Sequence, residues 1–354
     1  MNVGPREEPL VTVLTPVYNG ETYLAECIES VLAQTYSNWR YIIVNNKSTD
    51  RTGEIAERYA RGDSRIEVHT YDVLVGVIEN HNRAFRLVPS DAKYCKIVSA
   101  DDWLFPECLS RMVALAEANP SVGIVGHYQL SGAGKEWADW GINGVEIPYP
   151  STVVPAREIC RVHYLGGPDV YGNPTSVLYR ADLVKGQEHF YPNETAEADT
   201  SAICKCLQET DYGFVHQVLS YQREHNNRVT TRSRGFNAYL SSNISDLIQY
   251  SGNFLTTEER EQRLNQLIDH YYGFLAISAL KFREQAFWSY HKKRLSELGY
   301  PLSRAKLTKA IIMTLFDLML NPKNTFEKLM ESRQIPRYVN ERGIQPNRAG
   351  AEIG

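Results

Sequence analysis

The chain has 354 residues, of which 43% are hydrophobic and 23% are charged. This length allows two domains or one large α/β domain with an appendage, and the composition excludes wholesale disorder, a collagen-like fibre and a polytopic membrane protein. The 38 Lys and Arg against 42 Asp and Glu give a formal net charge of -4, so the chain has no global positive field that would attract nucleic acid.

Five short runs rich in β-branched residues occur in the first part of the chain, at 11–15, 41–44, 66–69, 94–98 and 122–126. They follow one another every 25 to 30 residues or so, which is the period of a β-α unit, and helical patterns lie between them. This alternation predicts an α/β fold with an open, Rossmann-like, mostly parallel sheet. In such sheets ligands bind beyond the carboxyl ends of the strands.

The remainder of the chain divides into an irregular and a helical part. Gly and Pro break the pattern over 127–235 into loops and short strands, which we interpret as the wall of a substrate cleft. From 236 onward helical patterns return, with basic residues beside the apolar run at 310–320. We therefore predict an α/β domain over residues 1–235 and a helical region over residues 236–354. That region packs on the first domain, forms a homodimer or rests on a membrane surface.

Cysteine use and the chain ends indicate the compartment. The six cysteines are too few and too scattered for a disulfide scaffold, so we expect reduced thiols. The sequence MNVGPREEPL has no apolar segment of a secretory signal, and the apolar run at 310–320 is too short to span a bilayer and contains Asp317. We expect a cytoplasmic protein, at most peripheral at the inner face of the membrane.

The residues after the first and fourth strands indicate the chemistry. Pro16-Val17-Tyr18-Asn19-Gly20 is neither a dinucleotide-binding G-x-G-x-x-G turn nor a P-loop. After the fourth strand come Asp101 and Asp102, two adjacent carboxylates that suit a divalent cation able to neutralise a diphosphate. An ordinary acidic turn explains the same local sequence equally well.

Three segments, taken in order, resemble family 2 glycosyltransferases, which are inverting enzymes of the GT-A fold. They are VTVLTPVYNGETYLAECIESVLAQTY, YIIVNNKSTDRT and YCKIVSADDWLFPECL. The resemblance extends over about residues 10 to 230. It implies a metal-dependent enzyme that moves a sugar from a nucleotide-diphosphate sugar, with a UDP-sugar as the expected donor. The implied acceptor is a hydroxyl of a glycan or lipid-linked molecule in surface polysaccharide or glycoconjugate synthesis.

The resemblance also implies roles on the donor side. Pro16 and Tyr18 border the nucleobase, and Asp101 faces the ribose hydroxyls. Asn46 stands where the family usually has an acid, but an amide both donates and accepts, so it can still pair with a uracil edge. Asn82 matches a helix that faces the donor, although helix capping explains it almost as well.

The metal and the catalytic base follow from the same resemblance. Asp102 ligates Mn²⁺ or Mg²⁺, and His225 completes the metal shell or binds the leaving phosphate. The first acid of the family's D-x-D triplet is Ser99 here, which departs from the pattern. Asp199, in EADTSAICKCL, is the expected catalytic base that takes the proton of the acceptor hydroxyl, with Glu197 as the alternative. An acid placed to suit the helix dipole is the competing interpretation of Asp199.

Further residues are expected on the substrate side. Asn173, Thr175 and Ser176 resemble the family segment that lines the acceptor, and Arg223 adds positive charge near the diphosphate. Trp103 is placed to stack on a sugar face, although a core aromatic is an equally good interpretation.

Two other functions remain open. A non-catalytic nucleotide-sugar-binding scaffold is compatible with the departures at Asn46 and around Asp199. A sugar nucleotidyltransferase has the same α/β layout, but it normally has a Gly-rich basic loop after the first strand.

Overall fold

The computed structural model describes residues 8–132, 141–143, 147, 150, 152–167, 170–192, 197–224 and 236–321. The chain divides into two compact units, Met1–Leu267 and Ile268–Gly354, and each is described by itself. The division predicted from the sequence lies earlier, at 235/236, and stays a prediction.

The first unit contains one sheet of ten strands within the described residues. Its strands are β1 (Val11–Val17), β2 (Trp39–Asn45), β3 (Ile66–Thr70), β4 (Tyr94–Ile97), β5 (Trp103–Leu104), β6 (Val122–Gly132), β7 (Gly141–Asn143), β8 (Val153–Val154), β9 (Leu178–Arg180) and β10 (Asp211–Arg223). The order across the sheet is β3-β2-β1-β4-β9-β6-β10-β5, with β7 beside β6 and β8 beside β10. All five strands predicted from the sequence belong to it.

The sheet is parallel on one side and mixed on the other. Strands β3, β2, β1 and β4 run parallel, whereas β9 is antiparallel to both β4 and β6. Strand β10 runs parallel to β6, and β5 pairs with it in the antiparallel sense. The open α/β sheet expected from the sequence is therefore confirmed, with antiparallel strands added on one side.

Seven helices lie within the described part of the first unit. They are α1 (Leu24–Leu32), α2 (Thr52–Gly62), α3 (Val77–Arg86), α4 (Cys108–Ala118), α5 (Ala156–Tyr164), α6 (Ala198–Cys206) and α7 (Tyr239–Tyr250). Helix α1 shows why they form: Leu24, Cys27, Ile28 and Val31 recur at helical spacing and are all buried.

Two hydrophobic clusters cover the two faces of the sheet. Val11 and Val13 of β1 belong to the cluster that contains α1, α2 and α4 residues, while Leu14 belongs to the cluster that contains α3, α6 and α7 residues. Because successive side chains of a strand point to opposite faces, β1 is covered on both, and all seven of its residues are buried.

The remaining helices are α8 (Thr257–Leu280), α9 (Gln285–Glu297) and α10 (Arg304–Leu320). Between α8 and α9 the helical pattern is interrupted at Phe282, which has a positive φ of 52°. In the second unit, the hydroxyl of Tyr271 lies 2.8 Å from Nδ1 of buried His291, which joins α8 to α9. Among the described residues, none of the helices combines the length and the hydropathy that crossing a bilayer requires.

Candidate functional site

The turn after β4 carries the two predicted acids at the carboxyl edge of the sheet. The peptide N–H of Asp102 donates to the Ser99 carbonyl at 3.0 Å, which closes the turn. Below the turn, the Thr15 hydroxyl donates to the Val98 carbonyl at 2.8 Å, and Cys27 Sγ lies 3.5 Å from the Ser99 carbonyl. The position of Asp102 is therefore fixed by β1 and α1.

Three distant segments meet at the Asp102 carboxylate, which is only 2% exposed. The Thr175 hydroxyl donates to Oδ2 at 2.7 Å, and the peptide N–H of Arg223 donates to Oδ1 at 3.0 Å. Asp102 is thus held rigidly at the carboxyl edge of the sheet, and a carboxylate is an oxygen ligand of the kind that a hard divalent cation takes.

Thr175 lies in a short 3₁₀ turn, Pro174–Ser176, that Asn173 caps. The Asn173 side-chain oxygen accepts from the peptide N–H groups of Thr175 and Ser176, and the Ser176 hydroxyl accepts from the Asn173 N–H. The Thr175 hydroxyl also accepts from the Ser99 N–H at 3.1 Å. These three residues are predicted on the acceptor side. In this structure their side chains form hydrogen bonds within the turn and to Asp102.

Lys96 supports the same turn from inside the sheet. Its ammonium group is fully buried and donates to the carbonyls of Thr175 and Val177, at 2.7 and 3.3 Å. Burial lowers the pKa of Lys96. Sequence reasoning missed this residue, although a lysine in the middle of a buried strand is a signal, since Lys is almost never fully buried without partners.

Arg223, at the end of β10, joins the turn to α1. Its Nε donates to the Asp101 carbonyl at 3.2 Å, and its Nη2 pairs with Glu26 at 2.5 Å. The guanidinium also lies over the rings of Tyr23 and Trp103. Trp103 stacks on Tyr221 with ring centroids 4.0 Å apart, so one of its faces is covered by protein.

The loops after β1 and β2 form the neighbouring part of the edge. Pro16 is buried within β1, whereas Tyr18 is 47% exposed. Asn46 is buried, and both ends of its amide bind the backbone of Val75, at 2.9 and 3.0 Å. The predicted nucleobase partner thus also clamps the loop between β3 and α3.

Asn82 and Asp199 lie near a common neighbour, Tyr191. Both ends of the buried Asn82 amide bind the Tyr191 backbone, at 2.9 and 3.1 Å, so Asn82 has a structural role here. Burial raises the pKa of Tyr191, and the Asp199 charge adds to this effect. Asp199 lies in the first turn of α6, and Glu197 precedes that helix. The predicted metal ligand His225 lies outside the described residues.

Asp101 and Asp102 fit a cation site in which the protein supplies only part of the ligands. No group of three or more His, Cys, Asp or Glu side chains suited to a metal occurs among the described residues, so they do not build a complete protein cage. Two adjacent carboxylates fit a Mg²⁺-like ion, which is commonly held by one or two carboxylates together with substrate phosphates and water.

A buried acid missed by sequence reasoning lies against α6. The Ser201 hydroxyl donates to Oδ1 of Asp246, on α7, at 2.7 Å. Burial raises the pKa of Asp246 to about 7, and the Asp199 charge adds to this effect. In the sequence Asp246 is one polar position of an ordinary helical pattern, so no local signal marks it.

Residues 12–178 match the family model described as Glycosyl transferase family 2, which confirms the resemblance predicted from the sequence. The uncharacterized glycosyltransferase EpsJ of Bacillus subtilis (strain 168) is 37% identical over 118 residues. That alignment covers 33% of this chain and 33% of EpsJ, so the match spans about a third of this relative's length.

Two solved structures show the same fold over most of the chain. S. aureus TarS 1–349 in complex with UDP-GlcNAc has a TM-score of 0.57 at 19% identity, over 94% of this chain and 93% of that one. The mannosyltransferase PcManGT from Pyrobaculum calidifontis, in complex with GDP-Man and Mn²⁺, has a TM-score of 0.50 at 15% identity, over 94% and 87%. The likeness confirms the predicted fold of GT-A type.

Proposed function

Because residues 12–178 match family 2 glycosyltransferases, we propose that this protein transfers a sugar from a nucleotide-diphosphate sugar to a hydroxyl group, with inversion at the anomeric carbon. The observation that carries the proposal is the Asp102 carboxylate, held at the carboxyl edge of the sheet by Thr175 and Arg223. Ligands of open α/β sheets bind at this edge. A UDP-sugar is the proposed donor, in keeping with the UDP-GlcNAc bound to TarS.

The donor would lie along the ends of β1, β2 and β4. In this proposal Tyr18 and the loop clamped by Asn46 border the nucleobase, and Asp101 faces the ribose. Arg223 contributes positive charge beside the diphosphate while its own position is fixed by Glu26.

Asp102, with Asp101 beside it, would hold a Mn²⁺ or Mg²⁺ ion. Such an ion, when bound, neutralises the diphosphate that leaves, as a Lewis acid. The Mn²⁺ in the complex of PcManGT is in keeping with this assignment.

Asp199 is the proposed catalytic base. It would accept the proton of the acceptor hydroxyl as that oxygen attacks the anomeric carbon from the face opposite the diphosphate. A general base of this kind typically contributes about 10²- to 10⁴-fold to the rate.

The acceptor is proposed to be a glycan or a lipid-linked molecule in surface polysaccharide or glycoconjugate synthesis, on the cytoplasmic side of the membrane. The exposed apolar residues of α10 would meet either a membrane surface or a second copy of the chain. The alternatives are a scaffold that binds nucleotide sugars without catalysis and a sugar nucleotidyltransferase.

A thermal-shift panel of nucleotide sugars, with and without Mn²⁺, tests the donor. A ligand at about 100 times its Kd adds roughly 2.7 kcal/mol of stability.

The base is tested with the donor that raises the unfolding midpoint most. We expect Asp199→Asn to keep this thermal shift and lose transfer, whereas Asp91→Asn, at an exposed position, should change neither. Donor binding without transfer in the unaltered protein would favour the scaffold. Release of pyrophosphate from a sugar phosphate and a nucleoside triphosphate would favour the nucleotidyltransferase.

A further inference from the structure

Helix α7 carries a buried acid that the proposed chemistry does not yet use. Asp246 is 2% exposed, and within the described residues its Oδ2 has no hydrogen-bond partner. Its Oδ1 accepts one hydrogen bond from the described part of the chain, from the Ser201 hydroxyl. Burying an ionised carboxylate with so few partners is unfavourable, and a polar group in this state calls for an explanation.

The contact of Asp246 leads directly to the segment with the proposed base. Ser201 lies two residues after Asp199 in α6, and its peptide N–H donates to the Glu197 carbonyl at 3.0 Å. Its hydroxyl also lies 3.1 Å from that carbonyl. Ser201 therefore connects Asp246 to the turn that presents both Glu197 and Asp199.

Within the part of the chain that the structure describes, the titratable groups that interact with Asp246 include Asp199 and Cys204 on α6, Tyr164 on α5 and Tyr250 on α7. Burial raises the pKa of Tyr250 to about 12 and the pKa values of Cys204 and Tyr164 well above their usual range, so these three groups stay neutral near pH 7. Asp199 is the neighbour whose charge acts on Asp246, and such an interaction is mutual.

We propose that Asp246 is a positioning residue for Asp199: it fixes the first turn of α6 through Ser201, and its negative charge, once formed, makes Asp199 a stronger proton acceptor. This inference rests on the proposed role of Asp199 as the base. Since burial raises the pKa of Asp246 to about 7, the charge forms as the pH rises through neutrality.

The first test is the pH profile of UDP release from UDP-GlcNAc with Mn²⁺. We expect kcat/KM of the unaltered protein to rise between pH 6 and pH 8, by up to about tenfold if the two carboxylates couple by one pK unit. Asp246→Asn can still accept from Ser201 but cannot ionise, so the rise should disappear. Ser201→Ala removes a bond that lowers the pKa of Asp246, so the rise should move to higher pH.

Gln208→Ala is the matched control. It removes a second side-chain bond between the end of α6 and α7, from Gln208 Nε2 to the Tyr250 carbonyl at 2.9 Å. A purely structural role of Asp246 predicts that Gln208→Ala and Asp246→Asn act alike. An unchanged profile in Asp246→Asn, or an equal change in Gln208→Ala, would overturn the proposal.

A second measurement needs no substrate. The unfolding midpoint of the unaltered protein should fall, relative to that of Asp246→Asn, as the pH rises from about 4 to about 7, and the difference should then level off. The unfolded chain releases this proton near pH 4, whereas the folded chain holds it until about pH 7. Equal pH dependence would overturn the proposal whatever the donor is. If the unfolding midpoints differ in this way but Asp199→Asn keeps full transfer, Asp199 is not the base. The assignment of the titration to Asp246 would still hold.

Discussion

At the scale of single residues, the site depends on polar groups that are buried and fully organised. Lys96 donates to the Thr175 carbonyl, the Thr175 hydroxyl donates to Asp102, and the Arg223 peptide donates to the same carboxylate. Each group is fixed before any ligand arrives. A cation or diphosphate that binds there would therefore find its protein partners already oriented.

The Thr175→Val substitution tests this organisation. Valine keeps the shape but removes the bond to Asp102, and a lost hydrogen bond to a charged group costs about 1.5–3 kcal/mol. We expect a lower free energy of unfolding in urea and a smaller thermal shift with UDP-GlcNAc and Mn²⁺. Thr152→Val, at an exposed position, is the control and should change neither quantity. An unchanged shift in Thr175→Val would show that Asp102 does not need this bond.

His127 gives a pH dependence of stability. Burial, with the nearby Lys96 charge, lowers the pKa of His127 from 6.5 to about 3. The unfolded chain therefore binds the extra proton first, so stability present above pH 6.5 is lost as the pH falls toward 3. The contribution of His127 alone should fall by on the order of 2 kcal/mol between pH 7.5 and pH 5, since each pH unit below 6.5 is worth about 1.4 kcal/mol.

The measurement is urea unfolding at these two pH values for the unaltered protein and for His127→Gln. The variant starts less stable because the ring packs in the core, but the stability difference between the two proteins should shrink as the pH falls, since the variant lacks the loss that His127 causes. Equal slopes for the two proteins would contradict the assignment. His69, which is substantially exposed, provides the control substitution.

The site residues that the sequence predicts, such as Asp102 and Thr175, lie next to strand ends in a recognisable order, and their roles stay predictions. Lys96 and Asp246 were missed because their importance comes from contacts with residues far along the chain, at 175 and 201. No local pattern carries such information. The departure at Asn46 was visible in the sequence, but its clamp on Val75 was not.

At the scale of elements, β10 is the strand that differs most from the sequence prediction. It is the longest described strand, yet it lies in a stretch predicted to form loops and short strands. Register shifts between Val215 and Val218, and again before Ser220, interrupt the alternation of buried and exposed residues that marks a strand. The early strands were predictable because they are buried on both faces, which produces continuous apolar runs.

The break between α8 and α9 gives a prediction at this scale. Phe282 is 93% exposed and has a φ of 52°, a conformation that costs a non-glycine residue roughly 1–2 kcal/mol. Phe282→Gly should therefore raise the unfolding midpoint, although added freedom of the unfolded chain offsets part of the gain. Arg283→Gly, where φ is not positive, is the control and should not stabilise. A lower midpoint in Phe282→Gly would mean that this ring makes a stabilising contact.

At the scale of the whole molecule, the α/β sheet was predictable and the role of the helical region was not. Helix α10 has no buried residue and exposes Ile312, Met313, Leu315, Phe316, Met319 and Leu320. Such a surface is larger than scattered apolar residues normally form, which is in keeping with the proposed contact with a membrane surface or a second copy of the chain. Nothing in the helical pattern distinguishes a membrane from a second chain.

Phe316→Glu should weaken the association that α10 makes, measured by light scattering for a dimer and by flotation with vesicles that contain phosphatidylglycerol. Lys306→Glu with Lys309→Glu separates the two cases, because it should weaken binding to anionic vesicles and spare an apolar dimer. If the unaltered protein is a monomer and does not bind the vesicles, the proposed contact through α10 is wrong.

The support of Asp102 by three distant segments also limits where this chain can be truncated. The segment that matches the family model ends at 178, but Arg223 and β10 follow it. A fragment that stops at 178 would lose the strand between β6 and β5 and leave an unpaired edge along β6, which invites aggregation. The end of the segment that matches the family model is thus not the end of a unit that can fold by itself. A truncated chain that is meant to fold should therefore include β10.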